Sequence, residues 1–182
     1  QMSDKPDLQL ALIQTNLIWQ DPAANRAQFE PLLEQARGAD LVVLPEMFST
    51  GFSMQSADLA EPESGPTSRW LSEQARRIGA VITGSLIIQT AGGSDRNRLL
   101  GARTDGSQSF YDKRHLFRMA GEHKHYSAGE QQVLLEVKGW QVRPLICYDL
   151  RFPVWSRDAG GTDLLLYTAN WPAARRQHWN RL

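Results

Sequence analysis

Leu41-Val42-Val43-Leu44 is an unbroken apolar run, closed at once by Pro45 and Glu46. A short run without polar alternation is the pattern of a strand covered on both faces. Such a strand needs a layer on each side of its sheet. With an early order of strand, helix, strand, helix, strand and a strand-rich middle, that requirement argues for α/β or α+β layers rather than a bundle or a sandwich of sheets alone.

The neighbouring sequence supplies candidates for those layers. Leu8 to Gln14 predicts a strand. Asp21-Pro22 then opens a helix, with Asp21 as cap and Pro22 in the first position. Phe29, Leu32, Leu33 and Ala36 follow at helical spacing, Pro31 is a candidate kink, and Gly38 stops the helix. Met47 to Pro66 reads as a loop rich in Ser, Gly and Pro. Thr67 to Ile78 predicts a second helix with Trp70, Leu71, Ala75 and Ile78 on one side, ended by Gly79. Ala80 to Gln89 predicts a strand and Ala91 to Asp95 a turn. Arg98 to Arg103 and Ser109 to Asp112 predict strands joined by the hairpin signal Thr104-Asp105-Gly106. His115 to Gly129 reads as a polar loop. Val133 to Val137 and Trp140 to Ile146 predict strands around Lys138-Gly139. Phe152 to Asp158 predicts a short helix, Asp163 to Tyr167 a strand, and Trp171-Pro172 the start of a helix reaching Leu182.

The whole chain, 182 residues, reads as one domain. Lys+Arg and Asp+Glu both number 20, so no net field recruits nucleic acid or an anionic membrane. There is one cysteine, which excludes an intramolecular disulfide and a Cys-rich zinc site and fits a reducing, cytoplasmic setting. No apolar stretch reaches bilayer length, and residues 1–6 lack the apolar run of a signal peptide.

Reactive side chains stand just past three strand ends: Glu46 after Leu41–Leu44, Lys113 after Tyr111-Asp112, and Cys147 after Val142–Ile146. Strand ends are rigid platforms that can hold convergent groups. A free thiol, with a pKa of about 8.5, is mostly protonated at neutral pH. A carboxylate in contact can take its proton, and an ammonium favours the thiolate and stabilises an oxyanion. A strand-to-helix turn at Cys147 would also aim the Tyr148 N–H at that oxyanion. Each residue alone has an ordinary alternative. A lone cysteine is usually a small buried hydrophobe, and a lone glutamate or lysine is usually a solvated charge.

Three local strings change that balance. They are Leu44-Pro45-Glu46-Met47-Phe48, Tyr111-Asp112-Lys113-Arg114-His115-Leu116-Phe117, and Leu145-Ile146-Cys147-Tyr148-Asp149-Leu150-Arg151-Phe152-Pro153. In this order they resemble the three signatures of the nitrilase superfamily. The resemblance runs from Leu8 to the chain end. It implies a four-layer α-β-β-α sandwich that pairs into a homodimer. It assigns Glu46 as general base, Lys113 as oxyanion-stabilising cation and Cys147 as nucleophile. Glu122, in the loop before Gly129, matches the second glutamate of the family, which would orient Lys113. No metal or organic cofactor is implied.

Ala169-Asn170-Trp171-Pro172 resembles the family's pocket-lining loop, so Asn170 and Trp171 are candidate substrate contacts beside Tyr148, His115 and Phe117. Asp149 and Arg151 are expected to pair or cap near the elbow, and Arg175-Arg176 reads as a solvated helix face. His123 and His125 lack the partner cluster a metal needs. The string from Tyr111 to Met119, with Glu122 and Tyr126, looks most like bacterial omega-amidases, which hydrolyse the terminal amide of 2-oxo acids such as 2-oxoglutaramate. Arg118, His123 and Lys124 are candidate cations for the acid end of such a substrate. The family fold continues past the last helix with further strands, so a C-terminally truncated form is expected. The alternatives are another amidase branch, an acyltransferase using the same thioester, or an inactive interaction module.

Overall fold

The computed structural model describes residues 5–157 and 160–181. The order begins with β1 (Leu10–Leu12), α1 (Pro22–Gln35), β2 (Leu41–Val43), α2 (Ser56–Leu59), β3 (Glu61–Pro62) and α3 (Pro66–Ile78). It continues with β4 (Val81–Gln89), β5 (Asp95–Ala102), β6 (Gln108–Asp112), β7 (Leu135–Val137) and β8 (Trp140–Ile146). The last elements are α4 (Pro153–Ser156), β9 (Leu164–Thr168) and α5 (Arg176–Trp179).

The first sheet runs β1-β2-β4-β5-β6, with β3 also on β4. β1, β2 and β4 are parallel, because helices carry the chain back between them. β4, β5 and β6 are antiparallel, because tight turns connect them. Phe29 and Leu33 of α1 and Leu71, Ala75 and Ile78 of α3 bury one face of this sheet against Val42, Leu44, Ile82 and Leu86. The other face packs on the second sheet, β7-β8-β9, where Leu41 and Val43 meet Leu135, Val142 and Leu166. The apolar run that opened the argument is buried along its whole length: Leu41 and Val42 are both 0% exposed.

This is an α/β fold of layered sheets. Leu165, opposite in alternation to Leu164 and Leu166, is 42% exposed on the outer side of the second sheet. Among the described residues no α-helix after β8 exceeds four residues, and the 3-10 helix Cys147–Arg151 has five. No helix among them is long and apolar enough to cross a membrane.

Most expected elements occur, with differences that have local causes. Asp21 caps α1 by accepting the Ala24 N–H at 2.9 Å, and Pro31 sits inside α1 without ending it. The expected 47–66 loop contains α2 and β3. β5 begins at Asp95 rather than Arg98, because Asp95, Arg96 and Asn97 are polar residues paired in the β4–β5 ladder. The 115–129 loop holds two short 3-10 turns, Arg118–Ala120 and Glu122–Lys124. The expected 152–158 helix is α4, and Asp158 lies outside the described residues. The expected final helix is a 3-10 turn, Ala173–Arg175, followed by α5, and Leu182 lies outside the described residues.

Candidate active site

β8 ends at Ile146, and Cys147 turns abruptly with φ of 39°, a left-handed conformation that disfavours a side chain. The turn is held from below by Asp149. Its carboxylate accepts the Ile146 N–H at 3.0 Å, the Tyr111 hydroxyl at 2.7 Å and the His115 N–H at 2.9 Å. A second left-handed residue, Met47 with φ of 48°, follows Glu46 at the end of the β2 segment. The Met47 N–H donates to Ser85 Oγ at 2.8 Å, and its carbonyl accepts from the Thr50 and Gly51 N–H groups. Both carriers of reactive groups are thus held in conformations that their surroundings over-determine.

Glu46, Lys113 and Glu122 converge in the interior, each no more than 1% exposed. Lys113 Nζ donates to Glu46 Oε1 at 2.8 Å and to Glu122 Oε2 at 3.0 Å. Asn97, 0% exposed, joins the same carboxylates: its Nδ2 donates to Glu46 Oε1 at 2.9 Å and to Glu122 Oε1 at 3.1 Å. The Phe117 N–H donates to Glu122 Oε2 at 2.5 Å, and the Asn170 N–H to Glu46 Oε2 at 3.1 Å. Cys147 opens onto the same cavity as Glu46 and Lys113, and the charges of both act on its thiol.

Charge balance sets the resting protonation. Burial pushes the Cys147 thiol far above its ordinary range, the Glu46 charge adds to that push, and Lys113 opposes it. The ammonium alone would have favoured thiolate, but burial, reinforced by the two carboxylates, reverses the sign. Burial works to lower the Lys113 pKa, yet the attraction of Glu46 and Glu122 outweighs it and holds the ammonium charged above the usual lysine range. Burial raises Glu122, and Lys113 opposes the rise. The arrangement therefore presents a neutral thiol against a carboxylate, with a permanent cation alongside.

A cavity of about 340 Å³ opens onto Glu46, Lys113 and Cys147. Phe117, Tyr148, Asn170, Trp171 and Arg175 line the same space, with Leu17, Trp19, Phe52 and Pro172 as further apolar wall. Four of the five residues expected at the substrate are therefore present there. His115 is not. Its Nδ1 lies 2.8 Å from Asp149 Oδ1 and its ring stacks on Phe152 at 3.7 Å, so it braces the elbow instead. Asp149 caps the turn as expected, but among the described residues it forms no ion pair with Arg151. Arg118, His123 and Lys124 do not line the cavity. Their 3-10 turns bury Glu122 inward, leaving Arg118 and Lys124 exposed on the opposite side. Arg175, read from sequence as a solvated residue, lines the cavity instead. Among the described residues no group of three or more His, Cys, Asp or Glu is arranged to hold a metal.

Asn97 escaped the sequence reading because it lies between an expected turn and an expected strand, in no motif. Its one detectable signal is position: it sits a single residue before the predicted strand opposite Tyr111-Asp112.

Residues 9–182 match the family model described as Carbon-nitrogen hydrolase. The chain belongs to this family. The carbon-nitrogen hydrolase is 49% identical over 179 residues to Omega-amidase YafV of Escherichia coli (strain K12), covering 97% of this chain and 68% of that one. It is 30% identical over 178 residues to 2-oxoglutaramate amidase of Bacillus subtilis (strain 168), covering 95% and 69% respectively. Among solved structures it superimposes on a CN-hydrolase superfamily protein from Xanthomonas campestris, which carries an arsenic adduct in its active site. The TM-score is 0.91 and the identity 46%, over 97% of this chain and 69% of that one. A glutamate-to-glutamine mutant of the amidase from Nesterenkonia sp. AN1 is also similar, with a TM-score of 0.79 and 26% identity over 90% of this chain and 67% of that one. That structure shows Michael addition of acrylamide at the active site cysteine.

Proposed function

We propose that this hydrolase is an omega-amidase, cleaving the terminal amide of a small 2-oxo acid through a thioester on Cys147. The observation that carries the reading is one cavity opening onto Cys147, Glu46 and Lys113 together, with Lys113 donating to the Glu46 carboxylate at 2.8 Å. Nucleophile, base and oxyanion-stabilising cation thus converge on one cavity. The names of the E. coli and B. subtilis relatives support the substrate class.

Glu46 takes the thiol proton as sulfur attacks the amide carbon, so the thiolate exists only as the bond forms. The Lys113 ammonium and the Tyr148 N–H hold the oxyanion of the tetrahedral intermediate. Glu46 returns the proton to the departing nitrogen, and ammonia leaves a thioester. Water then enters, loses a proton to Glu46 and attacks the thioester carbon. Collapse releases the acid and restores the thiol. Glu122 fixes the Lys113 ammonium and compensates its charge without touching substrate. Asn170 and Trp171 close the substrate side of the cavity.

Residues 1–182 are proposed as a single hydrolase domain, working as a cytoplasmic homodimer on a small amide, without nucleic acid or membrane. The family match over 9–182, the balanced charge and the lone cysteine support this setting. Ammonia release from 2-oxoglutaramate, glutamine, an aliphatic amide and a nitrile tests the function. Selective release from the 2-oxo amide, abolished in Cys147→Ala, is expected. Equal release by Cys147→Ala would remove the thioester from the mechanism.

A further inference from the structure

We infer that Arg175 is the anion receptor of the cavity, binding the carboxylate at the far end of the substrate from the scissile amide. This deepens the omega-amidase reading and rests on it.

The charged side chains that line the cavity are Glu46, Lys113 and Arg175. At the reacting end Lys113 is already engaged by both Glu46 and Glu122. A substrate carboxylate placed there would meet two buried carboxylates and an ammonium with no spare attraction. The uncommitted cation among the lining side chains is Arg175. Among the described residues it enters no ion pair. Its guanidinium lies 5.0 Å from the Phe117 ring centroid and 4.9 Å from that of Trp171. Contacts of this kind use the π faces and leave in-plane N–H groups for a planar bidentate acceptor, which a carboxylate is.

The segment Asn170–Arg175 connects the two ends. Asn170 N–H holds Glu46 Oε2 at 3.1 Å, and the Trp171 indole N–H donates to the Arg175 carbonyl at 2.6 Å. One short segment therefore ties the general base to the Arg175 backbone, and the guanidinium packs on the Trp171 and Phe117 rings of the same wall. A linear substrate with a neutral amide at one end and an acid at the other fits in a single orientation. Its reverse would put the acid against Glu46. A 2-amino acid such as glutamine would bring its ammonium toward Arg175, where like charges repel, whereas a 2-oxo group carries none.

The test compares the wild-type chain with Arg175→Met and Arg175→Lys on 2-oxoglutaramate and on pentanamide, a neutral amide of equal length. It adds calorimetric binding of the product 2-oxoglutarate. Arg175→Met is expected to raise KM for 2-oxoglutaramate about tenfold or more, with a much smaller change in kcat. The kcat/KM ratio then shifts toward pentanamide, Arg175→Lys recovers part of the loss, and 2-oxoglutarate binding weakens in parallel. Equal losses on both amides, or unchanged 2-oxoglutarate binding by a folded Arg175→Met, would overturn the assignment. Wild-type protein inactive on 2-oxoglutaramate would sink the omega-amidase reading by itself. The product-binding arm would still decide whether Arg175 receives the anion.

Discussion

Lys113 Nζ and Glu46 Oε1 meet at 2.8 Å with both side chains 1% exposed, so the oxyanion cation and the candidate base are one buried ion pair. Such a pair contributes little net stability when intact, but breaking it leaves an uncompensated charge. Here Glu122 makes the cluster a triad of two carboxylates and one ammonium. Burial, with this excess negative charge adding to it, keeps the thiol protonated until a substrate carbon is present.

Glu46→Gln separates the two effects of that carboxylate. Loss of the base is expected to reduce amide turnover by about 10²–10⁴-fold. Loss of its charge and hydrogen bond, both of which raise the Cys147 pKa, shifts the thiol downward. Rates of alkylation by iodoacetamide across pH should then show a lower midpoint in the variant than in wild type. A midpoint that stays put or rises would contradict the charge balance described.

Lys113→Ala removes the cation from between two carboxylates. It is expected to lower kcat/KM by about 10²–10³-fold, as for a lost oxyanion donor. It should also destabilise the fold by about 3–5 kcal/mol, because the carboxylates are left buried without compensation. Steady-state kinetics and urea unfolding measure the two losses. A near-wild-type rate would take Lys113 out of the oxyanion role.

Asn97→Leu keeps the side-chain size and removes the two donors that join Glu46 to Glu122. We expect kcat to fall by about tenfold or more, with KM less affected, because the groups are misplaced rather than lost. The acid limb of the kcat/KM–pH profile should move, since Glu122 loses the Asn97 hydrogen bond that favours its charged form. A purely structural asparagine would lower stability and leave that limb in place.

Glu122 titrates above its ordinary value of 4.5 in the folded protein, because burial disfavours its charge. The folded state therefore holds the proton to higher pH than the unfolded chain does. Stability from this group is greatest below 4.5 and declines as pH rises from there through the raised value. Glu122→Gln should flatten that part of the stability–pH curve, measured by chemical unfolding from pH 4 upward at about one-unit steps. An identical slope in the variant would show that other groups dominate it.

The separation between local and long-range information is visible in particular residues. Strand ends at Glu46, Lys113 and Cys147 were legible because an apolar run followed by a reactive residue is a local pattern. The helix stop at Gly79 was legible for the same reason, whereas α1 ends at Gln35 with Ala36 as its cap, ahead of the expected stop at Gly38. Asn97 was not, since its neighbours Asp95 and Arg96 give no apolar alternation. Its partner is set by pairing: Arg98 stands opposite Asp112, so the Lys113 N–H reaches the Asn97 carbonyl at 3.0 Å. A one-residue slip of that register would turn Asn97 to the helix side of the sheet.

The sequence by itself determined the layered α/β class, the chemistry of a thiol with a carboxylate and an ammonium, and the chain positions that carry it. Only the tertiary structure decided which polar residues join them. It admitted Asn97 and Arg175, turned His115 toward Asp149, and left Arg118 and Lys124 outside the cavity. The physical reason is that periodicity and capping act over a few residues. The direction of a side chain near the site depends on strand register and on which face of a turn is buried, and both are settled by contacts between distant segments.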